Sequence, residues 1–179
     1  MTFKFVFISL LTRTPAGYID KDYPVKLPVQ LDQVQATFDC SLRYALNTSV
    51  ADEVWNKSTD TRNGGFVRLG PDRRVFAVSM FHELHCMSAL SRALNETVQT
   101  PKLDGHVAHC LNYLRMFTQC AADATEEPVV KVSMLKSQGG CAPSFIRRCS
   151  NWNTLYDFLS RNYLAFHEHK VVNGTWTRE

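Results

Sequence analysis

The chain writes His-x-x-His-Cys twice, as HELHC at residues 82–86 and HVAHC at residues 106–110, 24 residues apart. With six His and six Cys in 179 residues, chance would supply the pattern about 0.007 times, so its doubling marks a repeated unit. On a helix, positions i, i+3 and i+4 share one side. His82, His85 and Cys86 therefore form one cluster, and His106, His109 and Cys110 a second. Four neutral imidazoles gathered in this way are the donor set of a buried metal site, as in helical bundles that place ligands at i and i+3. A lone His on an apolar face is usually a core residue, but four in a repeated pattern favour metal. If the thiols ionise, His and Cys together suit structural zinc. If Cys86 and Cys110 instead bridge each other across matching positions, an all-imidazole site remains. That site suits copper, and also iron or zinc.

The elements that must hold these groups follow from hydrophobic period. Phe81, Leu84, Met87 (or Leu90) and Leu94 step helically after Met80, and Val107, Leu111, Leu114 and Phe117 do the same after Gly105. Pro101 and Gly105 bound the short connection, so the two motif helices are expected to be antiparallel neighbours. Upstream, residues 31–46 carry Leu31, Val34, Phe38 and Leu42 at helical spacing and read as a helix. Residues 48–58 read as another, capped by Ser49, with Val50, Val54 and Trp55 on one face. FVRL and RVFAVSMF, separated by Gly and Pro, read as a hairpin. EEPVVKVSMLKSQGG reads as a strand or loop. NWNTLYDFLSRNYLAF reads as a third apolar helix, capped by Asn151 or Asn153, with Trp152, Leu155, Leu159 and Tyr163 along its face. The fold class is mainly α with a small β element. Residues 1–30 form a lead-in, extended from residue 12 by Pro15, Pro24 and Pro28, and residues 31–179 form a single domain.

Bulk properties narrow the function. A 45% apolar and 21% charged chain of this length is one ordinary globular domain. The net charge is +3 and the basic residues are scattered. Arg73-Arg74 and Arg147-Arg148 are too short for a nucleic-acid footprint. No Ser-His-Asp order, Gly-rich phosphate loop or paired-carboxylate site is visible, which disfavours hydrolases and nucleotide enzymes. The cysteines and four N-x-Ser/Thr sequons, at Asn47, Asn56, Asn95 and Asn173, point to the secretory pathway, as a secreted glycoprotein with disulfides. The apolar run from Phe5 to Leu11 is too short to span a bilayer. It reads as a minimal signal, a buried strand or the remnant of a longer N-terminal segment.

The doubled HxxHC motif resembles that of the UstYa-like family of fungal oxidases of secondary-metabolite and mycotoxin biosynthesis. EVWNKS around Trp55, VSMFHELHC, HCLNYLRMFTQCAAD and CSNWNTLYDFL extend the likeness over about residues 50 to 160. The resemblance implies a copper-dependent oxidoreductase. Its substrate would be a peptide or other small-molecule natural product, and its reaction oxidative cyclisation, hydroxylation, dehydrogenation or halogenation. It nominates His82, His85, His106 and His109 as ligands, and Cys86, Cys110, Cys120 and Cys149 as the family cysteines. The disulfides expected are Cys86–Cys110 and Cys120–Cys149, with Cys40 and Cys141 as an additional pair. It also implies a membrane anchor and a homo- or hetero-dimer with a related oxidase. Asn112 stands where the family has Asp, Ser91 where Arg often closes the first motif helix, and Arg147 where His is common.

Among other groups, Asp123 is the candidate acid, base or orienting partner of a ligand imidazole. Tyr113 and Arg115 are assigned to packing and salt bridging, and His167 and His169 to the surface. The alternative from another class is a non-catalytic secreted module, stabilised by zinc or disulfides and acting by binding.

Overall fold

A computed structural model describes residues 16–38, 41–46, 48–59, 61–95, 101–126 and 144–173. Its order is β1 (Gln33–Phe38), a 3-10 turn (Leu42–Tyr44), α1 (Ser49–Thr59), β2 (Phe66–Leu69), β3 (Arg74–Ala77), α2 (Ser79–Asn95), α3 (Pro101–Ala121), β4 (Phe145–Ser150) and α4 (Trp152–Asn173). The fold is mainly helical with a small β element, as the sequence pattern predicts; that element is two small antiparallel sheets, β2 with β3 at the expected hairpin and, beyond the expectation, β1 with β4. The described part of the lead-in, residues 16–30, has turns but no helix or strand. Among the described residues, no helix is long and apolar enough to cross a membrane.

Several boundaries differ from expectation. Residues 33–38 are a strand, not a helix, because β4 supplies a partner 117 residues away from Gln33, with Gln33 opposite Ser150 and Phe38 opposite Phe145. Phe38 and Phe145 stack at 5.5 Å, a cross-strand aromatic pair that favours the ladder. The cap of α1 is Thr48, whose Oγ1 accepts the Ala51 N–H at 3.1 Å, rather than Ser49. Its inward face starts at Ala51, and Val50 is exposed. Helix α3 begins at Pro101, so Pro101 and Gly105 lie inside its first turns and not in a loop. Proline at a helix start loses no hydrogen bond, since that N–H has no intrahelical acceptor. Trp152 opens α4 but faces solvent. Residues 127–143, with the expected strand or loop, lie outside the described residues.

Two apolar clusters share α2. One joins Val67, Val78, Phe81 and Leu159; the other joins Cys86, Ala89 and Cys110 between α2 and α3. Helix α4 is locked over the hairpin by Asn162, whose amide accepts from Arg68 N–H and donates to Arg68 C=O, each at 2.8 Å. Tyr156 O–H donates to Ser58 C=O at 2.7 Å and ties α4 to α1. Among the described residues, Leu159 is the largest side chain that is fully buried. Leu159→Ala should therefore cost about 2–5 kcal/mol, read as a lower urea midpoint with an unchanged slope.

Candidate metal centre

The two motifs sit on α2 and α3, which run antiparallel. His82 lies against His109, with ring centres 5.7 Å apart, and His85 against His106 at 5.4 Å. A step forward on one helix is thus a step back on the other. His82 and His85 are 6.5 Å apart along α2, so the four imidazoles form one contiguous cluster at the rim of the helix interface. The cysteines take a different place. Cys86 and Cys110 are fully buried in the interface core, and their thiols hydrogen-bond to each other. The single His-His-Cys cluster expected on each helix therefore divides into imidazoles at the rim and thiols inside. The i+4 position is turned far enough round the cylinder to meet the partner helix.

Among the described residues Cys86, Cys110, Cys120 and Cys149 are free thiols, so the expected disulfides are not formed here; Cys40 and Cys141 lie outside the described residues. Burial, with the Cys110 contact and the nearby Glu83 charge, pushes the Cys86 thiol up to about 12. That disfavours the thiolate a zinc site would need.

Burial holds the His82 and His85 imidazoles below the ordinary imidazole value, helped by repulsion from their neighbours: His109 and His106 for His82; His106, Arg92 and His82 for His85. The neutral ring, with a free nitrogen lone pair, is what binds metal. Because the folded values are depressed, this contribution to stability is full above about pH 6.5 and is lost as pH falls through the folded values. An NMR titration of the imidazole ring protons should place both midpoints below 6.5.

The donor set fits a metal in chemistry and in spacing. A metal–nitrogen bond of about 2.0 Å puts each ring centre roughly 3.2 Å from the ion, so two rings at the tetrahedral angle lie about 5.2 Å apart. The cross-helix pairs, at 5.7 and 5.4 Å, are close to this spacing. As the rings stand, no three His, Cys, Asp or Glu side chains among the described residues converge on one point. The pairs are tilted at 28° and 39°, and rotation about the soft χ2 of His is what would aim the nitrogens inward.

Two neighbours were not singled out by sequence as site residues. Tyr113 stacks 4.1 Å from His82 and 6.1 Å from His109; burial raises its phenol, against a hydrogen bond with Ser79. Its signal was present, since 109 and 113 are one turn apart. Glu83, inside the first motif, is half-buried, and burial raises its carboxyl. Asp123 is elsewhere. It follows the end of α3, and the helix from His109 to Ala121 alone spans roughly 18 Å. There it accepts from the Thr125 backbone and hydroxyl and pairs with Arg147; the Thr125 bonds first, then Arg147, keep its carboxyl below the usual range. The structure thus gives Asp123 no contact with the imidazoles. Arg147 in turn lies over Phe38 and Phe145, 5.2 Å from each ring.

The other departures are accommodated. Arg115 donates to Asn112 at 2.9 Å and to Gln119, so the Asn112 side-chain oxygen is an acceptor on α3. Ser91 is buried on α2. His167 packs on Tyr163 at 4.9 Å. The His169 side chain is outside the described residues. Of the sequons, Asn56 and Asn95 line one polar cleft with Trp55 and Arg92; Asn47 and the Asn173 side chain lie outside the described residues.

A helical hairpin carrying four facing imidazoles, flanked by two small sheets, defines the class. The sequence profile of the UstYa family, mycotoxin biosynthesis protein UstYa, matches residues 45–162, and the chain belongs to that family. It is similar to the hydroxylase cctR of Talaromyces islandicus, 24% identical over 131 residues that cover 69% of this chain and 47% of the relative. The UstYa family oxidases phomYe and phomYd of Diaporthe leptostromiformis are 26% and 28% identical, over 60% and 56% of this chain and 40% and 35% of their own lengths. The chain thus spans about half or less of the curated relatives it matches. No solved structure matches it.

Proposed function

We propose that this chain is a copper-dependent oxidase or hydroxylase acting on a small-molecule or peptide natural product in fungal secondary metabolism. The observation that carries the reading is the pairing of His82 with His109 and His85 with His106 across two antiparallel helices, in a chain of the UstYa family whose relatives are named oxidases and a hydroxylase. His82, His85, His106 and His109 would hold the ion; copper would supply one-electron redox chemistry and the use of dioxygen. The chain's own contribution is positional. The buried Cys86, Ala89 and Cys110 core fixes the spacing of the helices, and Tyr113 limits how far His82 can turn. Asp123 has no part in the proposed chemistry. Cys86–Cys110 and Cys120–Cys149 bridges, glycosylation, passage through the secretory pathway and pairing with a related oxidase belong to the same reading. The Asp123–Arg147 ion pair supports the second bridge, because it brings the end of α3 against β4, the two elements that carry these cysteines.

The test is metal analysis and oxygen uptake on purified protein. Copper retained through dialysis, with oxygen consumed only when a candidate substrate is added, supports the oxidase. Tightly held zinc with no oxygen uptake overturns it in favour of a binding module.

A further inference from the structure

Beside the imidazoles lies a cavity of about 360 Å³, walled by Gly64, Phe66, Ala77 and Phe81 and bordered by His82 and His85. It sits between the β2–β3 hairpin and the first turn of α2. We propose that it is the substrate subsite and that it takes an uncharged aromatic ring, a reading that rests on the imidazole cluster being the reactive centre.

Three observations carry this. The first is charge: none of the cavity's lining residues is acidic or is Lys or Arg. A charged guest would lose its hydration there without gaining a partner. The second is shape. Phe66 is paired directly across the hairpin with Ala77, the residue whose size decides whether the Phe66 ring is covered. With alanine opposite it, Phe66 is 44% exposed. Gly64, at φ +58°, keeps the other approach open, since a Cβ there would come within 3.8 Å of the same ring. Two small residues thus keep one aromatic face bare, on a wall that is already formed. Val78 N–H donates to Gly65 C=O at 3.0 Å, and Gly65 seats the hairpin so closely on α2 that any Cβ would overlap Phe81. Phe81 is itself held edge-on to Tyr156 at 4.8 Å and 85°. The third is the lining: Phe66, His82 and His85 carry rings at this cavity, beside the buried Phe81, and ring walls prefer ring guests in offset or edge-to-face contact. The volume is at the low end for a ligand pocket, so it admits a phenyl-sized group while the rest of the substrate stays outside. A guest seated there lies against His82 and His85.

The test titrates the full-length chain, as purified, with p-cresol by ligand-observed NMR. n-Butylamine and propionate serve as charged probes, and cyclohexanol as an aliphatic probe of similar size. Saturable p-cresol binding is expected, with the charged probes silent and cyclohexanol at least tenfold weaker. Ala77→Leu, on the exposed face of the hairpin, should weaken p-cresol at least tenfold by covering Phe66. Phe66→Leu, which removes the ring with little loss of bulk, should weaken it in the same direction. Unchanged affinity in both variants, or equal binding of charged or aliphatic probes, overturns the proposal. The outcome is separable from that of the oxidase reading. Protein that binds p-cresol here but holds no copper overturns the oxidase and keeps an aromatic-binding cavity. Copper-holding protein with no p-cresol binding does the reverse.

Discussion

Replacing His82 with alanine is expected to strip the protein of copper and of any oxidase activity together, with metal affinity falling at least about 100-fold. His82 is the most connected imidazole of the four, touching His85, His109 and Tyr113. Loss of a mere orienting partner costs a metal site about 10–100-fold, and loss of a ligand breaks the coordination geometry itself. His109→Ala removes the opposite member of the same pair and should behave alike. His167→Ala, on a ring that packs on Tyr163, should change neither quantity, and neither should Asp123→Asn. Copper content after dialysis is the readout, since it needs no substrate. Unchanged copper in both His82→Ala and His109→Ala would show the histidines to be structural.

Oxidising the Cys86–Cys110 pair should stabilise the fold by about 3.5 kcal/mol, the loop-closure value for a bridge enclosing about 25 residues. The thiols are already in contact and fully buried at the centre of the α2–α3 interface, so the bond would form with little rearrangement of the helices. Denaturant midpoints measured with and without reductant should differ accordingly. The difference should shrink sharply in a Cys86→Ala/Cys110→Ala protein, leaving only what a Cys120–Cys149 bridge contributes. Thiol titration of the unfolded, unreduced chain should find almost no free sulfhydryl. Four or more would contradict the bridges and return weight to zinc held by thiolates.

The helical hairpin was legible because its signal is local: ligands three and four apart and apolar residues one turn apart both require a helix. Strand β1 was not. Val34 and Phe38 satisfy helical spacing as well as strand alternation, and the arbiter is β4, more than a hundred residues away. In β4 itself, two consecutive arginines hide an alternation of half-buried Phe145, Arg147 and Cys149. The grouping of the imidazoles follows from a local pattern, whereas the separation of Asp123 from them follows from its place along α3, which residue type alone does not reveal. The cavity beside His82 was invisible in sequence for a related reason. Its walls come from a turn, two strands and a helix, and its volume depends on glycine and alanine being small where they face a phenylalanine.

The antiparallel meeting of the motifs has a geometric meaning of its own. Position 82 corresponds to 106, 85 to 109 and 86 to 110. The contact of His82 with His109 therefore maps onto that of His106 with His85, and Cys86 with Cys110 maps onto itself. The helices are thus related by a local dyad passing through the sulfur pair, the isologous arrangement of a two-fold dimer written within one chain. Such a half-and-half construction offers two equal seats and, alone, no reason to prefer either. Tyr113, whose counterpart 24 positions earlier is the small, buried Ala89, breaks the degeneracy at the His82–His109 seat. Arg92 does so with charge at the other, where it acts on His85. The cavity touches only imidazoles of the first copy. Handedness at this centre is therefore set by what breaks the repeat, and the repeat supplies the frame.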